Sequence, residues 1–226
     1  MVEGQHGKKG VNMKKIKICV EEDYIYKCKS DEFKDFVKEL YKENLIMDCH
    51  IHFIDNKNKY DKWLAERPRM PWKTIINFII KDEGKELILQ KFKKAYSDIY
   101  EEADIYIMNV IEYSKPVDNS ELITSVYKWN YTNKQEIRDK FMKEHFLMEQ
   151  KQLYYKYVTF NSVTEIVKSK DRKYDFFFES HVIDKNGINE IYSKPALEDM
   201  RKHSEQFLDT STRLLSFGEV FLIRRK

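Results

Sequence analysis

The sequence predicts an α/β or α+β domain: a mixed, mostly parallel sheet flanked by helices, with one C-terminal hairpin. Two observations carry this. Short β-branched runs alternate with helical periodicity along the chain, a pattern that places crossover helices over neighbouring strands. Asn186-Gly187 sits between two apolar runs, the tight-turn signature of an antiparallel pair.

Ile16–Val20 reads as the first strand, followed by the acidic Glu21, Glu22 and Asp23. Ser30 is an N-cap for a helix over 31–43. In that helix Phe33, Phe36, Val37, Leu40 and Tyr41 keep the 3.6-residue period. Asn44 ends it, and the apolar run LIMDCHIHFID, 45–55, forms the next strand. Short connections in this β-α-β unit predict a parallel crossover pair. A short helix is expected at 59–66, a proline-interrupted loop at 67–72, and a strand or helix at 72–80. One helix is predicted over 85–103 and a strand over 104–113. A Pro116-containing linker at 114–120 is the one candidate boundary. Beyond it the pattern predicts helices over 120–127 and 132–153, a strand at 154–160 and a helix opened by a Ser162/Glu165 capping box. A strand at 174–183, the hairpin, a helix over 196–217 stopped by Gly218 and a terminal strand complete the chain, which carries no evident internal repeat.

With 226 residues, 42% of them hydrophobic, the chain can bury a substantial core. The reading is a tail at 1–13, where Met13 is a candidate start, and a single α/β domain over 14–226. The net charge of +3 is no nucleic-acid signature by itself. Cys19, Cys28 and Cys49 are odd in number and fall in no zinc-type pairs, so a reducing, cytoplasmic setting is expected. No run is apolar enough for a transmembrane helix, so no membrane role is expected. Six glycines, three of them in the tail, leave no phosphate-cradling loop of the Walker or dinucleotide type.

His50 and His52 lie two apart, so on a strand they share a face. Asp48 is on that face too, and Glu21 ends the neighbouring strand. Together they make a candidate site for a divalent cation, Mn, Mg or Zn. The string DCHIHF resembles the first-strand metal motif of the amidohydrolase superfamily. The same pair, around Ile51, is similar to the His-hydrophobic-His motif of rolling-circle replication endonucleases. That resemblance implies a metal and a tyrosine nucleophile on the following helix, Tyr96 or Tyr100. Arg138 and His145, seven apart on a predicted helix, resemble the arginine-histidine motif of HEPN ribonucleases. The resemblance implies that they stabilise and protonate a phosphoryl oxygen. Residues 174–226 resemble the second half of class I S-adenosylmethionine methyltransferases, without the glycine-rich cofactor loop. Aromatic and basic residues interleave in 127–134 and 154–160, a pattern that can stack bases beside phosphates.

No catalytic constellation is complete in the sequence. The leading expectation is therefore a cytoplasmic interaction or regulatory protein with a protein partner. The alternatives are a metal-dependent phosphodiesterase or nuclease built on His50 and His52, and a divergent methyltransferase-like domain. One further expectation concerns the central strand. Ile46, His50, His52 and Ile54 are assigned to one face, and Leu45, Met47, Cys49, Ile51 and Phe53 to an apolar face beneath a helix.

Overall fold

The computed structural model describes residues 13–55, 68–113, 121–129, 140–141, 144, 158–169, 174–182 and 202–225. The strands in these residues are β1 (Met13–Val20), β2 (Ile46–Ile54), β3 (Thr74–Lys81), β4 (Asp104–Tyr113), β5 (Glu121–Trp129), β6 (Val158–Ser169), β7 (Phe176–Val182) and β8 (Leu208–Leu222). They close into a barrel in the order β1-β3-β2-β8-β5-β7-β6-β4, and every ladder is antiparallel. The one parallel pairing among the described residues is the isolated bridge Arg69–Leu215. The expected mostly parallel sheet is therefore corrected. β1 and β2 do run in the same direction around a helical crossover, but β3 lies between them and pairs antiparallel with each. Sequence spacing reveals a crossover; it does not reveal a third strand inserted into it.

The ring also divides by topology. β4-β1-β3-β2 and β8-β5-β7-β6 have the same strand order within their own halves, the order of a ferredoxin-like unit. Two such units joined edge to edge, β2 to β8 and β4 to β6, close the barrel. The sequence shows no repeat because a shared topology requires only that strands and crossovers recur, not residues. The connection between the halves is 114–120, outside the described residues.

Helices cover the outer face of the first half: α1 (Ile25–Lys29), α2 (Asp31–Lys42), α3 (Lys85–Ala95) and α4 (Ser97–Glu102). Ser30 caps α2, its Oγ accepting from the Phe33 N–H at 3.2 Å. Asn44, at φ 56°, ends it with the Leu45 N–H donating to the Leu40 carbonyl at 3.0 Å, a Schellman closure. The single helix expected over 85–103 is two helices, parted at Tyr96, whose φ and ψ are −135° and 57°.

Three further helices are corrected to strand. Residues 121–129 form β5, 158–169 form β6 and 208–222 form β8. The capping pattern at Ser162 and Glu165 is a local preference. It loses to a density of Val, Ile and Thr that suits a paired, half-buried strand. Gly218 lies inside β8 rather than ending a helix. The helix expected at 59–66, the Asn186-Gly187 hairpin and the tail before Met13 lie outside the described residues, as does most of 132–153.

The strands sort their side chains by the two-residue period. Ile16, Ile18, Val20, Cys49, Ile51, Phe53, Ile76, Phe78 and Ile80 face the helices and form one buried apolar cluster with Phe33, Val37, Leu40, Ile88, Phe92 and Ile99. The alternate positions face the barrel interior. At the start of β2 the pairing slips between Ile46 and Asp48. This bulge turns Ile46 into the helix-side cluster and leaves Met47 46% exposed. The expected faces are thus corrected at both residues, because a bulge reverses the alternation on one side of it.

Candidate functional site

The inner face of β1 presents Lys15, Lys17 and Cys19, that of β2 Asp48, His50 and His52, and that of β3 Ile75, Asn77 and Ile79. Register aligns them in rows. Lys17 is opposite Asn77, which is opposite His50; Lys15, Ile79 and Asp48 form the next row. From the other half, Glu179 on β7 is opposite Thr124 on β5, which is opposite Ser216 on β8. Lys15, Lys17, His50, His52, Asn77, Thr124, Glu179 and Ser216 are all fully buried.

Charge is concentrated at the centre. The Lys15 and Lys17 ammoniums each contact one oxygen of the Glu179 carboxylate, Oε2 and Oε1 respectively. His52 Nδ1 lies 3.5 Å from Glu179 Oε1, and His50 Nδ1 lies 3.6 Å from Asp48 Oδ2. The two imidazole centroids are 5.1 Å apart. The Asn77 amide donates to the His50 carbonyl at 3.3 Å. Among the described residues Asn77 Oδ1 and Thr124 Oγ1 have no hydrogen-bond partner.

Burial and charge pull against each other here. Burial alone would raise the Glu179 carboxyl, but Lys15, Lys17, His52 and His50 together hold it well below the usual carboxylate range. Burial brings the Lys15 amine down to about 8, with Lys17 adding to the shift and Glu179 opposing it. Burial likewise lowers His50, against the pull of Asp48. The cysteines carry no such activation: burial raises Cys19 and Cys49 and brings Cys28 to about 12, so all three remain thiols.

One end of the interior is closed by aromatic rings. Trp72 stacks on Phe177 at 5.9 Å and 28°, and meets Tyr106 edge-on at 5.7 Å. Its indole N–H donates to Asp104 Oδ2 at 2.9 Å. Lys17 Nζ lies 4.7 Å from the Phe177 ring centroid. The segment carrying Trp72 is tied to β8 by Leu215 N–H to the Pro68 carbonyl and by Met70 N–H to Ser216 Oγ. The expected loop at 67–72 is thus, from Pro68 onward, a plug across the barrel.

The sites expected from sequence separate. His50, His52 and Asp48 come together, with Glu179 as a fourth member that sequence reasoning missed. Each imidazole faces its own carboxylate, and Glu21 is exposed beyond the end of β1. Among the described residues no three His, Cys, Asp or Glu side chains converge to hold a metal ion. Tyr96 packs against Phe33, Phe36 and Phe92, and Tyr100 lies against the same cluster. Both are on the helix side of the sheet, so neither reaches the histidines. The nuclease geometry implied by the rolling-circle resemblance is absent. Arg138 and His145 lie outside the described residues. The methyltransferase-like reading of 174–226 fails because β7 and β8 belong to an antiparallel barrel.

Lys15, Lys17, Glu179 and Trp72 had only faint signals in the sequence. KKIKICV alternates lysine with apolar residues, which reads as a strand with one solvated face. Glu179 follows three phenylalanines in β7, and an acid inside so apolar a strand was the available clue.

No protein-family model and no curated protein matches the sequence at a significant level. Solved structures do match in fold. An anthrone oxidase-like protein superposes with a TM-score of 0.62 at 7% identity, covering 96% of each chain. A protein assigned as a monooxygenase from Lactobacillus acidophilus NCFM gives 0.60 at 9%, covering 96% of this chain and 97% of that one. A chlorite dismutase variant from Candidatus Nitrospira defluvii gives 0.52 at 10%, covering 93% and 92%. The chain therefore has the α+β-barrel fold of these proteins. Those neighbours are named as oxidase-like, monooxygenase and chlorite dismutase proteins, and the shared fold corrects the expectations of an interaction or regulatory protein, of a phosphodiesterase or nuclease, and of a methyltransferase. Among the described residues no helix is long and apolar enough to cross a membrane.

Proposed function

We propose that this chain is an enzyme-type α+β barrel that binds a small organic acid or phenol in its interior and moves a proton on it. The observation that carries this reading is the buried polar cluster. Lys15, Lys17, His50, His52, Asn77 and Thr124 converge from both halves, and Asn77 Oδ1 and Thr124 Oγ1 meet no partner among the described residues. Buried polar atoms are normally paired with protein, ordered water or a ligand. A few convergent polar groups with perturbed acidity beside an apolar wall are the usual makeup of a ligand site.

The chemistry of the lining suggests the ligand. Trp72, Tyr106 and Phe177 offer ring faces and edges to a planar molecule. The two lysines attract an anionic carboxylate or phenolate. His50, kept neutral by burial, is a proton acceptor at neutral pH. The names of the neighbours, anthrone oxidase-like, monooxygenase and chlorite dismutase, support a small-molecule substrate.

The test is binding. Titration of the full chain with 4-hydroxybenzoate, followed by calorimetry and by thermal shift, should show saturable stabilisation. Lys17→Met should weaken it at least tenfold, and a neutral analogue such as toluene should bind less well. Equal responses of the wild type and Lys17→Met to 4-hydroxybenzoate would refute the interior site.

A further inference from the structure

We propose that Lys15 is a nucleophilic amine that forms an imine with the carbonyl carbon of a small aromatic aldehyde or ketone held in the barrel. This deepens the ligand reading above and rests on it. Two inward lysines at i and i+2 share the carboxylate of Glu179, and their positions differ in a way that gives them different tasks. Lys17 lies over the Phe177 ring and contacts Glu179 Oε1, so it is held between a ring face and a carboxylate at the aromatic end of the interior. It is the charge that fixes an anionic or polarised group. Lys15 lies in the row that ends on half-buried Asp48, away from the Trp72 plug. A carbonyl compound that enters from the Asp48 end meets Lys15 before it meets the aromatic wall.

The groups facing Lys15 suit imine chemistry. Glu179 on β7 accepts a hydrogen bond from its ammonium, and Lys17 on the same strand opposes a second cation beside it. Asp48 and His50 face it from β2. Ile79 on β3 and Met108 on β4 are its cross-strand neighbours and carry no charge. An amine desolvated next to another cation is the arrangement by which lysine becomes nucleophilic at neutral pH, and burial brings Lys15 to about 8.

The step balances within the site. The ammonium passes one proton to the carbonyl oxygen as the freed nitrogen lone pair attacks the carbonyl carbon. The oxygen then takes a second proton from nitrogen, the carbon–oxygen bond breaks, and water leaves. Ammonium plus carbonyl thus gives protonated imine plus water, with no oxidant or reductant.

The test is reductive trapping on the full-length chain. 4-Hydroxybenzaldehyde with sodium cyanoborohydride is followed by intact mass and peptide mapping, with 4-hydroxybenzoate as the non-covalent control. At pH 8 an amine of this acidity has about 100-fold more free base than an exposed lysine. The expected result is one dominant adduct on Lys15, with labelling that rises through pH 8. It should be suppressed by 4-hydroxybenzoate and absent from Lys15→Arg, which keeps the cation. Scattered adducts on exposed lysines, at rates unchanged in Lys15→Arg, would overturn the assignment. Saturable binding of 4-hydroxybenzoate without an adduct on Lys15 would overturn the imine alone and leave the binding reading standing. Failure of both probes would overturn the two together. The peptide map of the unmodified sequence decides the matter even if Lys15→Arg fails to fold.

Discussion

Lys17 and Glu179 lie on β1 and β7, in opposite halves of the chain, and pair inside the barrel with both side chains fully buried. The pair does in side-chain chemistry what the β2–β8 and β4–β6 seams do in backbone: it joins the two ferredoxin-like units. Glu179→Gln should therefore destabilise the fold by about 3–5 kcal/mol, because it leaves two buried ammoniums facing a neutral amide. Denaturant melts measure this. A loss below about 1 kcal/mol would mean that the lysines are neutral or hydrated in solution.

The same pair predicts a dependence on pH. The Glu179 carboxyl is held well below its unfolded value, so its contribution is fully present above about pH 4.3 and is lost as pH falls through the lower folded value. The gap in Tm between the wild type and Glu179→Gln should narrow in acid. Lys15 acts in the opposite region. Its folded value, about 8, lies below the unfolded one, so between about pH 8 and 10.4 the unfolded chain binds more protons and stability rises with pH. Melts of the wild type against Lys15→Met across that range should show the rise in the wild type only.

Much of the first half was legible in the sequence. The periodicity of α2, its Ser30 cap and the β-branched runs of β1, β2 and β4 all report local preferences that the fold obeys. Pairing was not legible. Whether β1 lies beside β2 or is separated from it by β3 depends on contacts tens of residues apart, and a two-residue period is identical in parallel and antiparallel sheets. In the second half the helix expected over 120–127 and the capping signal at Ser162 misled, because tertiary pairing overrides weak local preference. The site was half legible. His50 and His52 on one strand face fix their own direction, but their neighbours Lys15, Lys17 and Glu179 reach them only once the barrel has closed.

Ile51 and His52 are adjacent on β2 and lie on its opposite faces. Both are fully buried, Ile51 under the helices and His52 against Glu179. Ile51→Ala should cost about 2–5 kcal/mol as a cavity in the apolar layer. His52→Ala should cost about 1–3 kcal/mol, because it strips a buried carboxylate of a polar neighbour. The two differ in function: Ile51→Ala should retain binding of 4-hydroxybenzoate, and His52→Ala should lose it. Equal binding by both variants would remove His52 from the site.

Gly218 gives the last prediction, and it tests the closure of the barrel itself. It lies in β8 opposite Ile54 of β2 and Leu122 of β5. A Cβ at this position would fall 2.1 Å from the Phe53 carbonyl oxygen and 2.8 Å from its carbon. These are backbone atoms, so a side chain cannot swing aside; β2 or β8 must move. The seam they form is one of the two that join the halves, and Asp55 N–H to the Phe217 carbonyl, at 2.8 Å, lies beside it. Gly218→Ala should therefore destabilise by more than the about 1–3 kcal/mol typical of overpacking a side-chain core. Hydrogen exchange should localise the damage, with amides of His52–Ile54 and 218–220 exchanging faster and those of the β1–β3 ladder retained. Uniform loss of protection across all strands would show that the seam has no stability separate from that of the whole barrel. A neutral substitution would show that β2 and β8 are farther apart in solution than this register requires.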